Sequence, residues 1–271
     1  MNFANPKITV ITACYNSGKT IETTLKSMLS QTYKNFEYLI IDGKSSDNTL
    51  EIVGKYREQF GDRLRIISEK DNGIYDAMNK GVKNSTGVMI GILNSDDYYY
   101  PDTLAKVAAI YEQQKYPLLV INGDLNRVDS EGNIVHTYHF KQKQVDKGEF
   151  FGHPSMFAAK AVYDKIGLYD LSYRFAADGD WQYRAHDDKE VKYLLCPSVF
   201  NNMREGGATD ELSYRYIWLK ERVRMRKSHN RGNLLSVYVT EIIALLGTDI
   251  KAITPKKLQK ALYSLYYKVK K

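Results

Sequence analysis

Val88-Met89-Ile90-Gly91-Ile92-Leu93 runs straight into Asn94-Ser95-Asp96-Asp97. The apolar run predicts a buried strand, and the acidic pair lies at its exit. Adjacent carboxylates raise each other's pKa, so two of them are costly to place there. A divalent cation removes that cost, because hard cations take carboxylate oxygens and hold phosphates. A turn capping the next helix is the plain alternative, since Pro101 suits a first helical position. The pair alone does not separate the two.

Outward from this strand, apolar runs alternate with helical spacing. Lys7 to Ala13 predicts a first strand, and Ile21, Leu25, Met28 and Leu29 then recur at helical spacing. Phe36 to Ile41 is the second strand, and Asp47 suits the N-cap of the helix after it. Leu64 to Ser68 is the third strand, Ile74 to Lys83 a helix, and Val88 to Leu93 the fourth strand. A further helix starts at Pro101 and ends before Pro117, ahead of a fifth strand over Leu118 to Ile121. Such alternation implies an α/β fold with a mostly parallel central sheet flanked by helices. Ligands of such sheets bind at the carboxyl ends of the strands. Tyr15-Asn16, Asp42-Gly43 and Asp96-Asp97 all fall at those ends.

Beyond about residue 124 the pattern is mixed. Asp129 to Asn133 reads as a hairpin turn, Ala161 to Ile166 as a short helix, and Val191 to Cys196 as a strand.

The chain has 271 residues, 43% apolar and 26% charged, which excludes wholesale disorder. Its two cysteines, Cys14 and Cys196, have no metal spacing and fit a reducing compartment. Asn5, Pro6 and Lys7 interrupt the start before a secretory leader's apolar core. Residues 212–271 hold 14 Lys/Arg against 3 Asp/Glu, whereas residues 1–211 hold 25 against 29. A mildly acidic body therefore carries a strongly basic tail. Thr254-Pro255 opens a helix whose stripe is Leu258, Leu262, Leu265 and Val269, flanked by lysines and by Tyr263, Tyr266 and Tyr267. That composition suits an anionic membrane surface; packing on the body with a solvated lysine face is the alternative. The longest apolar-rich stretch, Leu234 to Leu246, is shorter than the roughly 20 residues a span needs.

No P-loop, no GxGxxG after the first strand, no GxSxG elbow and no HExxH motif is present. Acidic groups carry the signal instead: Asp42, Asp71, Asp96, Asp97, Asp178 and Asp180. Five segments stand in a telling order. They are Ile8 to Asn16, then Gln31 to Glu37 with Ile41 to Thr49, then Asp71 to Gly81, then Leu93 to Asp97, then Asp178 to Arg184. Together they resemble the family 2 inverting glycosyltransferases, which have the GT-A nucleotide-sugar fold. The resemblance covers roughly residues 7–210.

The resemblance implies a nucleotide site of Ala13, Tyr15, Asn16, Asp42, Asp71, Asn94 and Asp96. It implies Mn2+ or Mg2+ at Asp96 and Asp97, and a general base at Asp178 with Asp180 competing. Each role has a physical reason. An aromatic face at Tyr15 stacks on a base, worth ~1–3 kcal/mol in single-stranded nucleic acids. Asp42 can accept the imide N–H of uracil; its plain alternative is a turn-forming Asp before Gly43. The metal would neutralise the diphosphate as it leaves. Asp178 and Asp180, if they open a helix, are also carboxylates that its dipole favours. His153, Trp181 and Arg204 are placed on an acceptor or diphosphate loop, with structural roles as the alternative.

Two departures stand out. The family's metal motif usually begins with Asp, where this chain has Asn94. No Gln-x-x-Arg-Trp segment, which processive members carry, follows Asp178. The expected organisation is a GT-A-like catalytic domain over 1–211, with a nucleotide-sugar half to about 124 and an acceptor half from about 125, and a basic helical tail over 212–271. The expected reaction moves one hexose or N-acetylhexosamine from a UDP-sugar to a hydroxyl of a lipid-linked glycan, in O-antigen, capsule or lipopolysaccharide assembly. The expected location is cytoplasmic, peripheral on the inner face of the plasma membrane. A nucleotide-sugar binder without catalysis, or a nucleic-acid-binding protein using the basic tail, are the rivals; the acidic body argues against nucleic acid.

Overall fold

The computed structural model describes residues 3–146, 152–206 and 212–231. In it the apolar runs become neighbours in one sheet. Its strands are β1 (Ile8–Cys14), β2 (Phe36–Asp42), β3 (Leu64–Ser68), β4 (Met89–Ile92), β5 (Tyr98–Tyr99), β6 (Leu119–Val128), β7 (Ile134–Tyr138), β8 (Met156–Ala159) and β9 (Lys192–Arg204). The order is β3-β2-β1-β4-β8-β6-β9-β5, with β7 paired to β6. The helices are α1 (Ile21–Leu29), α2 (Thr49–Lys55), α3 (Arg57–Phe60), α4 (Ile74–Asn84), α5 (Thr103–Gln114), α6 (Gln142–Asp146), α7 (Lys160–Ile166), α8 (Ala177–Asp187) and α9 (Leu212–Ser228).

The first four strands in that order run parallel. Every residue of β1 and β2 is buried, as strands covered on both faces require. Ile21, Leu25 and Met28 of α1 are buried along one stripe, each contributing about 1.5–3 kcal/mol by leaving water. Helix α4 sits closest to the sheet. A Cβ on Gly81 would lie 2.4 Å from Ile11 Cγ2, so only glycine permits that approach.

The fifth expected strand, Leu118 to Ile121, extends to Val128 as β6, β5 was not expected, and two further differences bear on the site. Strand β8 runs antiparallel between β4 and β6; its four apolar residues are too few to show a period. Strand β9 was expected to stop at Cys196 but continues to Arg204. It does so past Pro197 through register shifts opposite Gly123, Asp124 and Leu125. The continuation brings Arg204 to the acidic pair. The expected hairpin forms between β6 and β7, its turn closed by Asp129 Oδ1, which accepts the N–H groups of Glu131 and Asn133.

The chain divides into two compact units, Met1–Glu205 and Gly206–Lys271. The second contains α9, where Lys220 lies over the Tyr216 ring and Arg222 over Trp218. The helix expected from Thr254-Pro255 lies outside the described residues. Among the described residues, no helix is long and apolar enough to cross a membrane.

Candidate active site

Three loops at the carboxyl ends of β1, β2 and β4 are laced together. Asn16 adopts φ +50°, a left-handed conformation that asparagine tolerates. Its N–H donates to Ser45 Oγ at 2.9 Å, and its Oδ1 accepts the Ser46 N–H at 2.8 Å. The hydroxyls of Ser17 and Ser95 share a hydrogen bond of 2.9 Å, which ties the first loop to the third. Beside them Tyr15 is 65% exposed, an open aromatic face.

Gly43 is the meeting point. A Cβ there would lie 3.0 Å from Asp71 Oδ2 and 3.5 Å from Tyr15 Cδ2. Asp71 is held by Lys80 Nζ at 2.5 Å, and Lys80 also reaches Glu69 and Asp76. The hydrogen bond to Asp71 is the main cause of a raised Lys80 pKa. Asp42 lies beneath the loop, 0% exposed. Its carboxylate accepts the Ser68 hydroxyl at 2.6 Å and the Ser45 N–H at 3.2 Å. Burial, then Asp42, push the neighbouring Cys14 thiol up. Ala13 is buried within β1.

The structure separates Asp96 from Asp97. Asp97 is 1% exposed. Its Oδ1 accepts the Arg204 N–H at 3.0 Å, and its Oδ2 accepts Asn94 Nδ2 at 3.0 Å and Asn201 Nδ2 at 3.5 Å. Burial and then Asp96 raise its pKa. Asp97 therefore fixes the end of β9 against this turn. Asn94 serves it as a donor, which an aspartate at 94 would not. Asp96 is only partly buried; burial raises its pKa while the Arg204 charge opposes.

Asp178 and Asp180 lie in the first turn of α8 but have different surroundings. Asp180 is buried and paired with Arg184 Nε at 2.8 Å. Arg184 in turn donates to the carbonyls of Ile166 and Leu168. Asp178 is partly buried, and its Oδ1 accepts the Tyr75 hydroxyl at 2.9 Å. The geometry thus commits Asp180 to holding the 166–168 loop and leaves Asp178 facing Tyr75.

Trp181 does not line a loop. It is 0% exposed, donates Nε1–H to the Gly167 carbonyl and stands 4.5 Å from the Tyr163 ring. Being apolar and next to Asp180, it turns to the core face of α8. His153 is buried, with Nε2 2.8 Å from the Tyr169 hydroxyl. Burial lowers its pKa, with Asp178 opposing. Arg204 belongs to β9 rather than to a loop, and its Nε has no hydrogen-bond partner among the described residues.

Among the described residues no group of three or more His, Cys, Asp or Glu could hold a metal. A fully protein-made cage is therefore absent from them. Mg2+ in phosphate sites needs only one or two carboxylates plus substrate oxygens, and Asp96 fits that requirement.

Sequence reasoning missed Tyr75 and the Arg204 N–H. The first was within reach, since Tyr75 and Asn79 share one face of a predicted helix at i, i+4 spacing. The second depends on the unexpected length of β9.

Residues 9–167 match the family described as glycosyl transferase family 2. The PGL/p-HBAD biosynthesis glycosyltransferase of Mycobacterium tuberculosis is 33% identical over 188 residues, 67% of this chain and 70% of that protein. The structure of Staphylococcus aureus TarS 1–349 in complex with UDP-GlcNAc superposes with a TM-score of 0.65 at 19% identity, covering 88% of this chain and 73% of that one. Of a longer TarS structure the chain spans 43%. The mannosyltransferase PcManGT of Pyrobaculum calidifontis, in complex with GDP-Man and Mn2+, has a TM-score of 0.61 at 18% identity, over 96% of this chain and 80% of that one. The two structural likenesses establish the GT-A-like fold.

Proposed function

The chain belongs to glycosyl transferase family 2 and is a glycosyltransferase, and from that premise we propose that it moves a single hexose or N-acetylhexosamine from a UDP-sugar to a hydroxyl of a lipid-linked glycan, with inversion. The observation that carries the reading is the lacing of three strand-end loops. Asn16 bonds to Ser45 and Ser46, Ser17 to Ser95, and Tyr15 and Asp71 both flank Gly43. This gathers one aromatic face and the acidic motif at a single edge of the sheet, where such folds bind nucleotides.

In this reading Tyr15 stacks on the base. Asp71, on a loop beside it, supplies the acceptor for an imide N–H, which cytosine and adenine lack, with Asp42 buried at the end of β2 beneath. Asp96 would hold Mn2+ or Mg2+, and the cation would supply Lewis-acid stabilisation of the departing charge. Asp178 takes the proton of the acceptor hydroxyl. The acceptor oxygen bonds to the anomeric carbon as the bond to the diphosphate oxygen breaks, and UDP leaves with the electron pair. Attack from the face opposite the leaving group inverts the centre. Asp180 is already engaged by Arg184, which supports Asp178 as the base. A UDP-GlcNAc-bound structural neighbour supports the nucleotide, and the mycobacterial relative's name, a PGL/p-HBAD biosynthesis glycosyltransferase, supports a biosynthetic transfer.

A donor panel tests this. Thermal shift and sugar release with Mn2+ are measured for UDP-GlcNAc, UDP-Glc, UDP-Gal, GDP-Man and dTDP-Glc. Stabilisation and turnover are expected with UDP-sugars. A response to GDP-Man alone overturns the nucleotide, and no response to any overturns the reading. For the tail, binding to phosphatidylglycerol vesicles is expected to fall when Lys256, Lys257 and Lys260 are changed to Glu; unchanged binding refutes membrane attachment through it.

A further inference from the structure

We propose that Tyr75 is a positioning residue for the transfer step: its hydroxyl holds one oxygen of Asp178 and so aims the other at the acceptor. The inference rests on Asp178 being the base.

The link joins two separately anchored elements. Tyr75 stands on α4, whose seat against β1 is fixed by Gly81 over Ile11. Its hydroxyl donates to Asp178 Oδ1 at 2.9 Å. One turn along α4, Asn79 clamps the main chain of Tyr169 in both directions, donating to its carbonyl at 2.9 Å and accepting its N–H at 3.0 Å. The Tyr169 ring lies 5.7 Å from that of Tyr75. Its hydroxyl bonds with His153 Nε2 at 2.8 Å and with the Tyr163 hydroxyl at 2.9 Å. The Tyr163 ring stands 4.5 Å from Trp181, which is on α8 with Asp178. Donor and acceptor of the Tyr75–Asp178 bond are thus locked by buried groups on both sides.

An aspartate in the first turn of a helix otherwise turns about its side-chain torsions. One fixed oxygen removes that freedom, as proton transfer at hydrogen-bond distance requires. Helix α4 also begins just after the loop that carries Asp71, which flanks Gly43 together with Tyr15. The segment that fixes the base therefore also borders the nucleotide loops, so donor and acceptor sides are held in one register.

The titratable groups facing Asp178 are Tyr75 from α4, His153 beside β8, and Tyr169 from the loop after α7. Asp180, on its own helix, is neutralised by Arg184. His153 is kept neutral by burial, so Tyr75 is the neighbour that donates directly to the carboxylate. A donor favours the charged form. Tyr75→Phe takes that stabilisation from the carboxylate, so activity is expected to be lost at a higher pH than in the wild type.

The test is Tyr75→Phe, assayed with the sugar nucleotide turned over fastest in the donor panel. Expected are a fall in kcat of about tenfold, a donor KM within about twofold of wild type, and an acid limb of the pH–rate profile moved up by about one unit. The limb's position does not depend on the fraction of folded enzyme, so misfolding cannot mimic the shift. In an Asp178→Asn background, Tyr75→Phe is expected to have no further effect. Wild-type kcat and an unmoved limb in Tyr75→Phe, with Asp178→Asn inactive, overturn this inference alone. Full turnover by Asp178→Asn overturns the base assignment beneath it.

Discussion

The sheet buries carboxylates at both of its ends and treats them in opposite ways. At the amino end, Glu37 of β2 is buried yet surrounded by donors. Thr9 Oγ1 donates at 2.6 Å and the Thr86 N–H at 2.5 Å, while Arg65 stands at 3.4 Å and Lys7 at 3.7 Å. Burial pushes its pKa up, but these partners outweigh burial and hold it below the ordinary value. At the carboxyl end Asp96 and Asp97 form no ion pair among the described residues. Burial raises both, and Arg204 offsets this for Asp96 only as a nearby charge. One end is a finished structural joint. At the other, burial disfavours the charged carboxylates, which is where the proposed cation would act. Position on the sheet, rather than carboxylate chemistry, tells them apart.

The largest expected effect breaks the carboxyl end. Asp96→Ala removes the carboxylate proposed to hold the metal and is expected to lower turnover by about a thousandfold or more, since Lewis-acid stabilisation supplies several kcal/mol. Mn2+ should then no longer enhance the thermal shift given by UDP. A variant that keeps both responses would move the metal elsewhere. Asp97→Ala should behave differently. It leaves the Arg204 N–H and the amides of Asn94 and Asn201 without their acceptor. A loss of about 1–3 kcal/mol of stability is expected, read by denaturant unfolding, with part of the Mn2+ response retained.

Glu37→Gln breaks the amino end and should leave the chemistry alone. Its folded-state pKa lies below the unfolded value, so the stability it confers is present above about pH 4.5 and is lost as pH falls through the folded value. Glu37→Gln should therefore cost about 1–2 kcal/mol near pH 7, with the gap to wild type closing as pH falls through the folded value. Turnover at 25 °C should match wild type. A gap that persists unchanged into acid would show that shape, rather than charge, is what Glu37 contributes.

What was legible follows the same division. Strands β1, β2 and β4 are read readily because parallel strands covered on both faces are unbroken apolar runs. The loops after them are found by position alone. What stayed hidden depends on contacts distant in sequence. Asp178 and Asp180 are two residues apart and chemically identical; only the seat of Arg184 against the carbonyls of Ile166 and Leu168 separates them. The Asp180–Arg184 spacing of four was visible in the sequence, but it counts only on a helix. Asp96 and Asp97 diverge because successive residues of a turn point apart, and which one turns inward is decided by β9, more than 100 residues on. Trp181 looked like an aromatic site residue, whereas core burial is the commoner fate of so large an apolar surface.

The smallest expected effect sharpens the contrast most, because it alters charge at the open end without removing a site group. Asn94→Asp restores the acidic residue with which the family's metal motif usually begins. Here Asn94 Nδ2 donates to Asp97 Oδ2 at 3.0 Å. An aspartate at 94 exchanges that donor for a like charge beside a buried carboxylate whose pKa is already raised. Without metal the variant should lose about 1 kcal/mol, or roughly 2–4 °C in Tm. With Mn2+ and UDP it should regain more than the wild type does, because the added charge is satisfied only by the cation. A variant as stable as wild type without metal would mean that Asp97 already carries a proton and needs no donor. The acidic turn would then rely on one ionised carboxylate, that of Asp96, to hold the cation.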